Sequence, residues 1–139
     1  FLDLAMSAAE ASGERLSPSL RLFWLSGDRI DRSIPARLRA VAATRKYVLH
    51  AMGGATEAAI WSNAIDITKH CDGPVPYGRP LRTQGMRVVR SRDDLRDAAI
   101  GVPGEIVISG AGLMSGYFGD EARTAQALVT TTEGELLYL

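Results

Sequence analysis

A single cysteine, Cys71, in 139 residues leaves no partner for an internal disulfide and fits a reducing cytosol. Charge of one sign is also missing. Sixteen Lys and Arg balance sixteen Asp and Glu, so no electrostatic footprint points to nucleic acid or to an anionic membrane surface. No apolar run approaches the roughly 20 residues needed to span a bilayer, and the first residues lack the basic segment and apolar block of a signal peptide. His70 stands beside Cys71 with no second pair at metal-ligand spacing, so no zinc site is assigned. These absences lead us to expect a soluble, cytoplasmic protein with neither nucleic acid nor membrane as a partner. The length fits one domain, able to bury about two thirds of its unfolded surface.

What is present centres on Met52-Gly53-Gly54-Ala55-Thr56-Glu57-Ala58-Ala59-Ile60-Trp61. Two glycines let a backbone approach a ligand closely and accept positive φ without a Cβ penalty. Thr56 can donate to a phosphate oxygen, and Glu57 can hold a hard cation such as magnesium. A purely structural turn explains the glycines, but not a hydroxyl and a carboxylate placed directly after them and before an apolar patch.

The chain around this turn reads as α/β. Leu2, Ala5, Met6 and Ala9 fall on one side of a helix over residues 1–11, which Ser12-Gly13 stops. Leu20 to Leu25 is a nearly continuous apolar run of strand length, read as a buried strand ending in Ser26-Gly27-Asp28. Ser33 can cap a helix with Pro35 in its first turn and Ile34, Leu38 and Val41 along one face. Lys46 to Met52 forms a second strand, with His50 as a half-buried sheet residue. Strand, helix and strand within about thirty residues make a βαβ unit with parallel strands. Ligands of parallel sheets bind beyond the carboxyl ends of strands, where both glycine turns fall.

Lys69 to Pro80 holds three of the six prolines and two glycines, and reads as a connector. After it come short strands over 86–90 and 105–109, the latter with Ile106 and Ile108 on one face, separated by a charged loop over 92–97. A small, mostly antiparallel sheet is expected. Gly110, Gly112 and Gly116 do not make a dinucleotide fingerprint, because the third glycine falls one place late. Asp120 can cap a helix carrying Ala122, Ala125, Leu128 and Val129, and a further strand begins at Leu136. A start in mid-helix and an end in a strand suggest a piece of something longer.

Four blocks, in order, carry a resemblance: Leu25-Ser26-Gly27-Asp28, Gly53-Gly54-Ala55-Thr56-Glu57, Pro76-Tyr77-Gly78-Arg79-Pro80 and the glycine-rich stretch 101–117. Together they resemble an internal segment of an adenylation domain from a nonribosomal peptide synthetase, within the acyl-adenylate-forming superfamily. The resemblance implies a partial adenylation fold, with residues 1–72 in the α/β nucleotide- and substrate-binding subdomain and 73–139 in a β-barrel-like one. It implies ATP and magnesium as cofactors and an amino acid as substrate. It also implies a carrier protein bearing a phosphopantetheine thiol as partner, alongside neighbouring synthetase domains. Carried over residue by residue, Thr56 is expected to bond the α-phosphate and Glu57 to bind the metal, while Gly27, Asp28, Gly53, Gly54 and Ala55 border the nucleotide. Gly53 stands where many members carry an aromatic that stacks on adenine, and Ala51 where an asparagine often reads the adenine amine. Adenine recognition must then rest on backbone and shape.

The same alignment puts Trp24, Ser26, Met52, Ile60 and Trp61 on the wall of the amino-acid pocket. Ser26, Ile60 and Trp61 resemble the pattern of domains that activate cysteine in siderophore-type synthetases, whereas Trp24 and Met52 are bulkier than that pattern. Packing of the sheet is the alternative role for these apolar residues, and for Trp24 the two readings stand level. The phosphate loop and amine-binding aspartate of the family lie upstream, and its ribose aspartate and catalytic lysine downstream, so the 139 residues alone are expected to be inactive. An acyl- or aryl-CoA ligase, or a non-catalytic module with a degenerate nucleotide site, remain the alternatives.

Overall fold

A computed structural model describes residues 1–70 and 73–139; Cys71 and part of the 69–80 connector lie outside the described residues. The chain divides into two compact units, one of residues 1–52 and 64–78, the other of residues 53–63 and 79–139.

In the first unit, α1 (Leu2–Ser12) ends on Gly13 in the left-handed conformation, φ 70°. Strand β1 (Leu22–Leu25), helix α2 (Ile34–Val41) and strand β2 (Val48–Gly53) follow. β1 and β2 pair in parallel, Leu22 beside Val48 and Leu25 beside Ala51, so the βαβ reading holds. Met6, Leu38, Leu49 and Ile67 are fully enclosed and form a core with Ala9, Val41 and Tyr47. The Phe23 ring meets Tyr47 edge-on at 5.8 Å. Arg37 on α2 ties the helix to α1 by bonds to Glu10 at 2.8 and 2.9 Å, to Ser7 at 2.9 Å and to Asp3.

Two readings of this unit need correction, and one strand has no counterpart in the sequence reading. The first strand is not buried on both faces: Leu22 and Trp24 are 54% and 56% exposed, while Phe23 and Leu25 pack on the core. A continuous apolar run does not say which face a sheet covers. Ser33 does not cap α2 with its side chain; it sits in helical geometry, and its N–H donates to Asp31 Oδ1 at 2.7 Å. A third strand, β3 (Asn63–Asp66), lies next to β2 in the sheet order. Its four residues are too few to show a period.

The second unit contains the short strand β4 (Arg79–Pro80) and a five-stranded sheet of β5 (Gln84–Ser91), β6 (Asp94–Asp97), β7 (Glu105–Gly110), β8 (Leu128–Thr130) and β9 (Leu136–Tyr138). The order is β6-β5-β7-β9-β8. Every pairing in it is antiparallel, as expected. The stretch 92–97 is not wholly a loop, because Asp94 to Asp97 pair with β5 through a bulge. Its polar face is that of an edge strand, tied down by Arg87 to Asp97 at 3.1 Å. Core packing runs through Val107, Val89 and Leu137, all fully enclosed, while Ile106 is 42% exposed. Helix α3 (Glu121–Ala127) stops before Leu128, which turns extended at φ −113° and ψ 121° and begins β8. The β-branched run Val129 to Thr132 favours a strand there over a further helical turn. No helix among the described residues is long and apolar enough to cross a membrane.

Candidate functional site

In the second unit, the turn after β2 is closed by its own backbone. Ser62 N–H donates to Gly53 O at 2.8 Å, and Ile60 and Ala58 N–H both donate to Ala55 O at 2.9 Å. Gly54 has φ 148°, and a Cβ there would lie 2.5 Å from Ile60 O and 2.6 Å from Ser62 N. Only glycine fits that closure. Thr56 to Ala58 form one 3₁₀ turn, and Ala59 and Ile60 then take left-handed φ of 59° and 69°. For a β-branched residue such as Ile60 this is a strained conformation, of the kind that concentrates at functional sites.

Gln84 braces the turn from β5, its Nε2 donating to Ala58 O at 3.1 Å and Trp61 O at 3.4 Å. Gly112 leaves room for that amide, since a Cβ at 112 would stand 2.2 Å from Gln84 Nε2. Ser62 Oγ adds a buried bond to Ala58 O at 3.2 Å, and Met114 N–H donates to Glu57 O at 2.7 Å.

This bracing presents Thr56 as an exposed residue and Glu57 as a half-buried one. Neither side chain is enclosed in the core. The Glu57 carboxylate accepts the Tyr117 hydroxyl at 2.5 Å on Oε1. That bond, then Glu57's own N–H, hold the carboxyl below the usual carboxylate range; burial opposes them, and Tyr138 and the Arg123 charge assist. The Tyr117 phenol is pushed up, chiefly by donating to Glu57, and the Tyr138 phenol chiefly by burial. Glu57 is therefore an anion at neutral pH with a neutral donor on one oxygen.

Tyr117 is itself fixed from α3. Its N–H donates to Thr124 Oγ1 at 2.8 Å, and Thr124 Oγ1 in turn donates to Asp120 O at 2.8 Å. Asp120 caps the helix as expected, accepting Arg123 N–H at 2.9 Å, and the Arg123 guanidinium stands 4.2 Å from the Tyr117 ring centre. Arg123 carries no signal in the sequence, Tyr117 reads only as the last residue of the glycine-rich block, and Tyr138 only as resembling the start of the block that bears the family's ribose aspartate; none of them is given a part beside Glu57. Tyr117 lies 60 positions from Glu57, and no local pattern joins residues so far apart.

In the first unit, Ser26, Gly27 and Asp28 are exposed just beyond β1, Gly27 at φ 102°. Asp28 Oδ1 accepts the Arg29 N–H at 2.6 Å. Trp24 pairs with His50, and Met52 follows His50 by two, so strand alternation places all three on the face opposite the core residues Leu49 and Ala51. Trp24 does not pack this core. In the second unit, Ile60 and Trp61 are 61% and 38% exposed, while Gly53 and Ala55 are partly covered.

A magnesium ion takes most of its ligands from water and phosphate oxygens and needs only one or two carboxylates. The single ionised carboxylate of Glu57 fits that donor set. Among the described residues, no group of three or more His, Cys, Asp and Glu could hold a metal by protein ligands alone.

Comparison with known proteins gives concordant matches. The model of the family described as AMP-binding enzyme matches residues 1–118. The anguibactin system regulator of Vibrio anguillarum is 41% identical across 99% of this chain, which spans 13% of that protein. Pyochelin synthetase PchF of Pseudomonas aeruginosa is 41% identical across 93% of the chain, equal to 7% of its length. The crystal structure of the nonribosomal peptide synthetase FmoA3 bound to α-methyl-L-serine-AMP superposes with TM-score 0.88 at 36% identity, over 99% of this chain and 16% of that one.

Proposed function

Because this chain belongs to the AMP-binding enzyme family, we propose that it contributes part of the nucleotide and substrate site of an amino-acid-adenylating ligase of the nonribosomal peptide synthetase kind. In that reaction an amino-acid carboxylate oxygen attacks the α-phosphorus of ATP, the bond to the bridging oxygen breaks, and pyrophosphate leaves. The aminoacyl-adenylate then passes its acyl group to the phosphopantetheine thiol of a carrier protein. The work is cytoplasmic and needs neighbouring synthetase domains.

One observation carries this reading: a hydroxyl and an ionised carboxylate stand side by side, outside the core, on a turn whose glycine cannot be replaced. Thr56 donates to a non-bridging oxygen of the α-phosphate, while Glu57 holds the cation. A magnesium ion bound there would spread the negative charge of the phosphates. Gly27, Asp28, Gly53, Gly54 and Ala55 border the nucleotide in the same reading, and FmoA3, also solved in an AMPPNP-bound form, supports ATP as that nucleotide.

Trp24, Ser26, Met52, Ile60 and Trp61 line the amino-acid pocket, and the substrate is cysteine or a similarly small amino acid. Similarity to a pyochelin synthetase and to the anguibactin system regulator supports a siderophore-type parent. The test is ATP–pyrophosphate exchange by the full-length protein against a panel of amino acids, with cysteine or another small one expected to give the highest rate. Preference for a large aromatic or charged amino acid would overturn the substrate assignment. Exchange driven only by fatty or aryl acids would make it an acyl-CoA ligase. Absence of any heat on titrating ATP and magnesium would mark a non-catalytic module.

A further inference from the structure

We propose that Tyr117 is a positioning residue for the metal-binding carboxylate: its hydroxyl occupies Glu57 Oε1, so that Glu57 offers the cation a single, oriented oxygen. The inference rests on the reading of Glu57 as the cation ligand, and extends it to a residue outside the turn.

A glutamate side chain has three rotatable bonds, and a free one on a surface turn samples many orientations before meeting an ion. Here both ends of Glu57 are tied. Its carbonyl accepts Met114 N–H at 2.7 Å and its carboxylate accepts the Tyr117 hydroxyl at 2.5 Å. The donor is rigid in its turn. A tyrosine has few rotamers, the Thr124 hydroxyl holds its N–H at 2.8 Å, and Arg123 covers its ring at 4.2 Å. Gly116, at φ 148°, lets the chain pass Thr124 closely, since a Cβ there would stand 3.0 Å from Thr124 Cγ2. α3 is thus joined to Glu57 through one phenol.

The chemistry follows from what each oxygen can do. A carboxylate oxygen engaged by a neutral donor stays charged but loses one lone-pair direction. Coordination through both oxygens is then disfavoured, and the remaining oxygen would be the one that holds a divalent cation, whose other ligands would come from water and phosphate. Outer-sphere partners of this sort change metal affinity by roughly tenfold or more when removed.

The experiment uses the full-length protein and Mn2+ as a spectroscopic probe, read by electron paramagnetic resonance with a non-hydrolysable ATP analogue. Nucleotide binding without divalent metal is measured alongside. Tyr117→Phe keeps the ring under Arg123 and removes only the hydroxyl; it is expected to weaken Mn2+ binding roughly tenfold and to leave metal-free nucleotide binding unchanged. Glu57→Gln is expected to weaken Mn2+ further. If Glu57→Gln weakens the metal and Tyr117→Phe does not, the positioning role is overturned while the metal role of Glu57 stands. If neither changes it, the reading of Glu57 itself fails. Equal losses in metal-bound and metal-free nucleotide binding for Tyr117→Phe would mean a structural role and overturn the proposal. Should Tyr117→Phe not fold, Thr124→Val, which frees the Tyr117 backbone, must weaken Mn2+ in the same direction or the proposal falls.

Discussion

Glu57 and Tyr117 meet at 2.5 Å across 60 positions of chain, the phenol donating to a carboxylate that is held ionised. The contact joins the turn after β2 to the segment just before α3, both within the second unit. The consequences for stability and binding can be separated residue by residue.

Gly54→Ala should disable the turn. Its φ of 148° is open to glycine, and the new Cβ would meet Ile60 O at 2.5 Å and Ser62 N at 2.6 Å, both backbone atoms that cannot rotate away. Strain of this kind costs about 1–3 kcal/mol per residue. Calorimetric titration of the full-length variant with an ATP analogue should show binding weakened at least tenfold.

Gln84→Ala should loosen the same turn without altering its backbone preferences. The amide bond to Ala58 O at 3.1 Å is lost, leaving a partly covered carbonyl with fewer donors, at a cost of about 1 kcal/mol. Amide exchange at Ile60, Trp61 and Ser62 should quicken while that of β7 stays unchanged. Equal rates in both would show that the brace carries no weight.

Asp120→Ala removes the side-chain cap on Arg123 N–H, made at 2.9 Å. A lost cap costs about 1 kcal/mol. Because α3 carries Arg123 and Thr124, which hold the Tyr117 ring and backbone, this variant should also weaken Mn2+ binding. In a double-mutant cycle with Tyr117→Phe the two effects on the metal should be less than additive.

Acid should open the β5–β6 edge before the rest of that sheet. Asp94 is held at about 2, below an aspartate's ordinary 3.8, first by the Arg96 side-chain hydrogen bond and more weakly by the Arg90 charge. A depressed carboxyl binds fewer protons folded than unfolded, so its contribution is present above the ordinary value and lost as pH falls through about 2. Amide protection in 91–97 should drop between those two pH values, and Asp94→Asn should flatten the dependence.

Much of this architecture was legible in advance for definite reasons. Leu38 and Val41 sit at helical spacing and both are buried, and Asp120 three residues before Arg123 is a working cap. The parallel pairing of β1 with β2 followed from a strand, a helix and a strand in quick succession. Local signals misled where two structures compete for one pattern: Leu128 and Val129 continue the apolar face of α3, yet fold as β8 because Leu137 pairs with Val129 across the sheet. Likewise Asp94 to Asp97 has a loop's composition and becomes a strand only because β5 lies alongside.

Residue order by itself determined the glycine pair, the threonine and glutamate that follow it, and the blocks by which the family is known, because each is a matter of neighbours in the chain. Tertiary structure alone decided that Tyr117 reaches Glu57, that Gln84 clasps the turn, and that Trp24 faces away from the core. A hydroxyl and a carboxylate 60 positions apart have no shared period or spacing to announce them. Their meeting is set by the strand register and by the cap that starts α3.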